Sequence, residues 1–203
     1  MLLILIGFAL AFIDIGITFG VHYIDFAPDF LGYILLIAGF SQLSGESGKL
    51  KKLRGFAAFM VIYSIAVYLL DALGLTVTGL GALKGVIDIA AFFVPLYIVY
   101  VFIYAVHDIE VDRGADLGHK RLLKLFTPLA IAQALAYFFS VAFRQMFYDL
   151  SFVITLVSSA ISVVFLYYLY KTKSAYDSLP PKYEGDVHFG DEDKEKTIWE
   201  RYN

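Results

Sequence analysis

Five aspartates stand inside or at the rim of segments that are otherwise lipid-like: Asp14, Asp25, Asp29, Asp71 and Asp88. A carboxylate in hydrocarbon is expensive, and residues of this kind are usually paired, wetted or functional. Their neighbours repeat at helical spacing. Asp14, Thr18, His22, Asp25 and Asp29 follow steps of 4, 4, 3 and 4 residues. At about 100° per residue they fall within an arc of about 80°, provided the helix persists to Pro28. Further lines follow the same rule: Ser64, Tyr68 and Asp71; Lys84, Asp88, Ala91 and Pro95; Gln133, Tyr137, Ser140 and Arg144; Ser151, Thr155, Ser158 and Ser162. Lipid cannot satisfy such lines, so the simplest packing turns them toward one another. With Asp149 included, six aspartates face two bases, Lys84 and Arg144, in one half of the membrane. A cavity there would attract a cation, a proton or the cationic group of a substrate. The candidate substrate- or ion-binding set is therefore Asp14, Thr18, His22, Asp25, Asp29, Tyr33, Asp71, Lys84, Asp88 and Arg144, with Asp14 as the proton or cation carrier.

Each of these residues also has a purely structural reading. Asp14 suits a neutral acid bonded to a neighbouring helix. Lys84 and Asp88 form an i,i+4 pair that eases both into the membrane edge. Asp25 and Asp29 flank Ala27-Pro28 and suit helix capping with dipole compensation. Asp149 caps the last span, Asp71 snorkels to the rim, and Arg144 closes a salt bridge or meets an anionic headgroup. His22 lies within reach of Asp25 if both are helical, which makes metal ligation a minor alternative. The Ser/Thr line of the last span reads as interhelical glue before it reads as a nucleophile. The chain has no Gly-x-Ser-x-Gly, no His-Glu-x-x-His and no phosphate-binding glycine loop. Residues 107–124 mix Asp108, Glu110, Asp112 and Asp116 with His107 and His119; a metal site there would need a defined loop fold. The expectation is a solvated loop with a short interfacial helix over 117–126, no metal and no cofactor.

The elements that must position these residues are membrane spans. Mean hydropathy is +0.72. Charged residues make up 17% of the chain, against about 25% in a soluble domain. Residues 55–70, 125–143 and 150–170 contain no charge at all. Runs near 20 residues match a hydrocarbon core of about 30 Å at about 1.5 Å per residue. The fold class expected is an all-α polytopic bundle of six transmembrane helices over 2–22, 30–44, 55–72, 85–106, 126–146 and 150–170. The first lacks a basic leader and a small-residue cleavage site and reads as a retained span. Gly16-x-x-x-Gly20 and Gly81-x-x-x-Gly85 read as close-packing faces, and Thr127-Pro128 as the start of the fifth helix. Phe12-Ile13-Asp14-Ile15 echoes Val86-Ile87-Asp88-Ile89, which would suit an inverted repeat.

Lysine and arginine set the orientation. The connections after the second and fourth spans, with Lys171 and the tail beyond it, hold 14 of the 16 basic residues. Both termini are thus expected in the cytoplasm of a cell-membrane protein. Aromatic residues at the expected span ends, such as Tyr167, Tyr168 and Tyr170, suit the headgroup layer. The domain reading is a membrane domain over 1–171 and a tail over 172–203. The tail carries five basic and eight acidic residues and the whole net charge of −3, and it reads as mostly disordered. The chain has no cysteine, which excludes disulfides and thiolate-bound metals.

The stretch Ile24-Asp25-Phe26-Ala27-Pro28-Asp29-Phe30-Leu31-Gly32-Tyr33 resembles a signature of small uncharacterised bacterial integral membrane proteins, with an Asp-x-x-Pro-Asp-Phe-x-Gly-Tyr type of turn between their first two hydrophobic segments. The resemblance covers about the first 45 residues. It carries no activity, and it implies that Pro28, Asp29, Gly32 and Tyr33 act as a unit.

Three functions compete. The leading one is a small transporter or a cation- or proton-translocating protein with an acidic cavity in its outer half. The second is a membrane enzyme acting on a lipid-linked substrate through paired carboxylates, with His22 and a divalent metal. The third is a non-catalytic assembly or regulatory subunit. The partners implied are the lipid bilayer, a small cation or proton, and a second copy of the chain in a homo-oligomer, with no nucleic acid.

Overall fold

Long and short apolar runs fold into unlike elements. The computed structural model describes residues 1–12, 16–19, 22–25, 28–73, 81–142 and 148–180; at 16–19, 22–25, 71–72, 81–85, 140–142, 148–149 and 151–152 it describes the backbone alone. The order is α1 (Leu2–Phe12), β1 (Gly16–Phe19), β2 (His22–Asp25), α2 (Asp29–Gln42), α3 (Gly48–Ala72), α4 (Gly81–Arg113), α5 (His119–Ala142) and α6 (Tyr148–Asp177). Six helices dominate, and four of them, α3 to α6, are long and apolar enough to cross a membrane. The other two have 11 and 14 residues, about 16 and 21 Å, short of a core of about 30 Å.

The single helix expected over 2–22 is corrected. α1 stops at Phe12, and an antiparallel hairpin follows with Gly16 opposite Asp25, Ile17 opposite Ile24, Thr18 opposite Tyr23 and Phe19 opposite His22. The local composition explains this. Ile15, Ile17, Thr18 and Val21 are β-branched, which favours extended backbone. Gly16 and Gly20 weaken a helix. Gly16 of the expected Gly16-x-x-x-Gly20 packing face lies in β1, and Gly20 lies outside the described residues. Of the echo between 12–15 and 86–89, Val86–Ile89 lies inside a 33-residue helix, and 13–15 lie outside the described residues.

Consecutive helices pack as antiparallel neighbours, α1 against α6 closes the ring, and β2 lies against α3. Glycine sets the approach of α1 to α2. A Cβ added at Gly32 would stand 2.8 Å from the Gly7 carbonyl oxygen, and one at Gly39 would stand 2.5 Å from Ile4 Cγ1. The core fills the half of the bundle where α1 begins and α4 and α6 end. Ile4, Phe8, Leu36, Phe40, Leu53, Phe102, Val106, Leu122, Phe165 and Leu169 are all buried there.

That end is locked by polar contacts. Ser47 caps α3 by accepting the Lys49 N–H at 3.3 Å and donates to Asp108 at 2.7 Å. Lys49 meets the same carboxylate at 2.5 Å. Arg113 forks onto Glu46, which also accepts the Tyr176 hydroxyl at 3.3 Å. The side chains of Arg113 and Glu46 are only 13% and 12% exposed. Arg113→Ala is therefore expected to lower the thermal unfolding temperature of the detergent-solubilised protein, because it strips the guanidinium from a nearly buried carboxylate. An unchanged melting temperature would show that the pair adds nothing.

Three helix boundaries differ from the sequence reading. α4 runs on to Arg113, and Gly114 at φ +61° then lets the Ala115 N–H return to the Glu110 carbonyl at 3.1 Å, a Schellman-type stop. α5 starts at His119, so the short interfacial helix over 117–126 and the fifth span are one helix with Pro128 inside it. Pro128 costs the helix one N–H bond without ending it, and Thr127 bonds back to the Leu123 carbonyl at 3.3 Å. α6 continues to Asp177, beyond the last apolar turn. Thr172 is buried there and donates to the Leu117 carbonyl at 2.8 Å, and Lys173 pairs with Asp177 at 2.8 Å. Residues 181–203 of the expected tail lie outside the described residues.

The bundle is apolar outward. Ile62, Leu69, Phe93, Ile131, Phe138, Val153, Leu156 and Val163 are all exposed. The buried polar side chains of the described residues are Ser47, Ser64, Ser158, Ser162 and Thr172. Water would penalise so large an apolar surface, whereas hydrocarbon accepts it. Lys171 lies 4.8 Å over the Tyr167 ring and 5.6 Å over that of Tyr168, a basic–aromatic cluster suited to the headgroup layer.

Candidate functional site

A cavity of about 650 Å³ occupies the half of the bundle opposite the ion-paired turns. Helix direction puts it there. Its walls are the end of α1 and start of α2 (Ala11, Phe12, Asp29, Tyr33), the later part of α3 (Met60, Tyr63, Ser64) and the first half of α4 (Asp88, Ala91, Phe92, Pro95). The later half of α5 (Gln133, Ala136, Tyr137) and the first turns of α6 (Thr155, Ser158, Ser159, Ser162) complete them. In an antiparallel ring these segments share one end.

Pro28, with φ −60°, precedes α2, and Asp29 is its first residue. A carboxylate in a first helical turn faces the positive end of the helix dipole. One turn on, Tyr33 is 3% exposed. Gly32, between them, packs against the α1 backbone and so brings Ala11 and Phe12 to the same wall. Pro95 has no N–H, so the Ala91 carbonyl loses its ordinary helical donor on the face that lines the cavity. Phe92 stacks on Tyr137 with ring centroids 4.5 Å apart at 20°, joining α4 to α5. Phe30 meets Tyr68 edge-on at 5.7 Å, joining α2 to α3. Ser162 donates to the Ser158 carbonyl of its own helix at 3.0 Å, so its hydroxyl is not the interhelical link expected of the α6 line and is not poised as a nucleophile.

Of the candidate set, the structure brings Asp29, Tyr33 and Asp88 together around this cavity. Asp14 and Arg144 lie outside the described residues. Of Thr18, His22, Asp25, Asp71 and Lys84 only the backbone is described. The hairpin nonetheless removes the helical arc proposed for Asp14 to Asp29. With a period of two, positions 18 and 25 are in phase and position 22 is out of phase with both. The helical i,i+3 spacing assumed for His22 and Asp25 does not hold for the backbone, since both lie in β2.

The lining adds residues outside the candidate set. Ser64, Gln133, Tyr137, Thr155, Ser158 and Ser162 belong to the polar lines, and their periodicity was the available signal. Met60, Tyr63 and Phe92 carry no such signal, because aromatic and apolar residues beside a polar line look the same whether they face lipid or a cavity, and Ser159 falls off the period of its line. Asp29 and Asp88 are the two charged residues of the described lining. With the two rings and the hydroxyl groups they make a wall suited to a small positively charged or polyhydroxylated guest.

At the opposite end the structure gathers His107, Glu110 and His119, with one potential donor atom of each within 4.8 Å of the others. The sequence signal was an i,i+3 pair, His107 and Glu110, legible only if α4 is extended past residue 106.

No family model, no curated protein and no solved structure matches the chain.

Proposed function

We propose that this protein is a small membrane transporter whose cavity receives a solute bearing a cationic group, or a cation carried with it. The observation behind this reading is one cavity lined from all six helices, with Asp29 and Asp88 as its charged described walls. About 650 Å³ falls within the range of about 300–1,000 Å³ usual for small-molecule sites, more than a bare ion needs. The aromatic pair Phe92–Tyr137 favours an ammonium over a spherical metal ion. In this reading α1 with β1 and β2 with α2 complete six crossings, the extended hairpin making up the length the short helices lack. The basic turns and both termini face the cytoplasm of a cell membrane, and the cavity opens toward the outside.

Reconstituted protein is expected to accumulate at least one member of a panel of small ammonium solutes (choline, a diamine, an amino-acid ester) into vesicles above the empty-vesicle rate. The same solute should raise the melting temperature of the detergent-solubilised protein in proportion to the logarithm of its concentration at high occupancy. If neither uptake nor stabilisation occurs across the panel, while neutral or anionic solutes stabilise the protein, the cationic reading is wrong.

A further inference from the structure

We infer that His107, Glu110 and His119 form a divalent transition-metal site, with Zn²⁺ the best-matched ion, that staples the cytoplasm-facing turn between α4 and α5. The inference stands independently of the cavity. His107 and Glu110 are three residues apart near the end of α4, which puts them on one face of the helix. His119 is the first residue of α5. The chain returns to them through Gly114 and Gly118, both in left-handed conformation (φ +61° and +88°). Local sequence thus makes half of the site, and a turn with two glycines brings the other half back to it.

The geometry favours a ligand over a simple polar cluster. The Nδ1 atom of His107 is buried and has no hydrogen-bond partner. It stands 3.9 Å from Glu110 Oε2, while the Nδ1 atom of His119 meets that same oxygen. A buried ring nitrogen left unpaired is costly, and such atoms call for an explanation. The two imidazole rings lie 4.2 Å apart at 36°. Two neutral imidazoles and a carboxylate would form a donor set of net charge −1 for a dication.

Glu110 is already held as a metal carboxylate is usually held. Its Oε1 accepts the N–H groups of Leu117 and His119 at 2.8 and 2.9 Å, leaving Oε2 for the ring nitrogens. Such second partners orient a ligand and fix its charge. The carboxylate is 9% exposed and His119 is 18% exposed. A cavity of about 280 Å³ adjoins them, lined by Glu110, Gly114, Ala115, Asp116, His119 and Lys120. It offers an entry path and room for a water as a further ligand. Donors around one zinc ion at about 2.1 Å stand about 3.4 Å apart in a tetrahedron. The donors here lie within 4.8 Å of one another, close to that spacing. Two histidines, one carboxylate and an open position suit zinc, whereas calcium and magnesium prefer all-oxygen sites.

The test uses the full-length protein in detergent, stripped with a chelator and titrated with Zn²⁺ alone. One ion per chain is expected, with a rise in melting temperature that grows with zinc concentration. His107→Ala discriminates best, because His107 Nδ1 contributes no hydrogen bond to the fold. It should leave the zinc-free melting temperature nearly unchanged and weaken zinc binding by at least about tenfold. His119→Ala should abolish the zinc-dependent shift, whereas His188→Ala, in the C-terminal tail, should retain it. X-ray absorption should show nitrogen and oxygen ligands at zinc distances. Zinc binding unchanged in the His107→Ala/His119→Ala double variant would overturn the proposal. So would a wild-type protein that takes up no stoichiometric zinc, which would leave the three residues as a hydrogen-bonded turn.

Discussion

Asp88→Asn is expected to remove most of the affinity of the intramembrane cavity for a cationic solute. The side chain is nearly isosteric, so the walls built by Ala91, Phe92 and Pro95 on the same helix should stand unchanged. What is lost is one of two described negative charges lining a cavity walled by membrane helices. Coulomb attraction there is far less screened than at a surface. A loss of about ten- to a hundredfold in binding constant follows, or about 1.4–2.8 kcal/mol. Uptake into proteoliposomes should fall with it, and the melting temperature of the unliganded protein should change little. Asp29→Asn should show a smaller effect of the same sign, because Asp29 is exposed and faces the positive end of α2 as well as the cavity. Equal affinity in wild type and Asp88→Asn would remove the carboxylate from solute recognition and leave the cavity without an electrostatic role.

Gly32→Ala is expected to force α1 and α2 apart at their closest backbone approach. The added Cβ would stand 2.8 Å from the Gly7 carbonyl oxygen, 3.0 Å from the Ala11 backbone nitrogen and 3.2 Å from Leu10 Cβ. Two of these neighbours are backbone atoms of a packed helix and cannot rotate aside. Relief requires α1 to move away from α2, which opens the contact made on the same side by Gly39 and Ile4. Overpacking of this kind costs about 1–3 kcal/mol. Gly32→Leu should cost more, and should also disturb solute binding, since Ala11, Phe12 and Tyr33 line the cavity beside this contact. Gly45→Ala is the control: nothing lies within 4 Å of a Cβ there, so its unfolding curve should overlay the wild type. If Gly32→Ala unfolds like Gly45→Ala, the α1–α2 approach is looser than its geometry implies.

The positions of these residues show how far hydropathy reaches. Ser64, Asp88, Ala91, Pro95, Gln133, Tyr137, Thr155, Ser158 and Ser162 were legible as polar lines on four helices, and all of them line one cavity. A long helix makes this readable, because its period is fixed and lipid forbids an unpaired polar face. The method fails where the helix itself fails. Asp14 to Asp29 also repeat at helical spacing, yet the backbone there forms a hairpin over Gly16–Phe19 and His22–Asp25. The β-branched residues and glycines there favour extended backbone over the helix that the polar spacing suggests, and tertiary contact supports it, with β2 lying against α3.

The sequence by itself determined an apolar, helical, membrane-suited chain. Uncharged runs can be satisfied only by internal hydrogen bonding, and the distribution of basic residues marks one end of the bundle. Three things were decided by tertiary structure. Pro128 sits inside a helix because the turns on either side of it are apolar and packed, which outweighs one missing N–H bond. α6 runs to Asp177 because Thr172 and Tyr176 find partners on the α4–α5 and α2–α3 turns. His107, Glu110 and His119 meet because two left-handed glycines reverse the chain between them. Each depends on contacts between residues far apart along the chain or across a turn, whose energies no local pattern encodes.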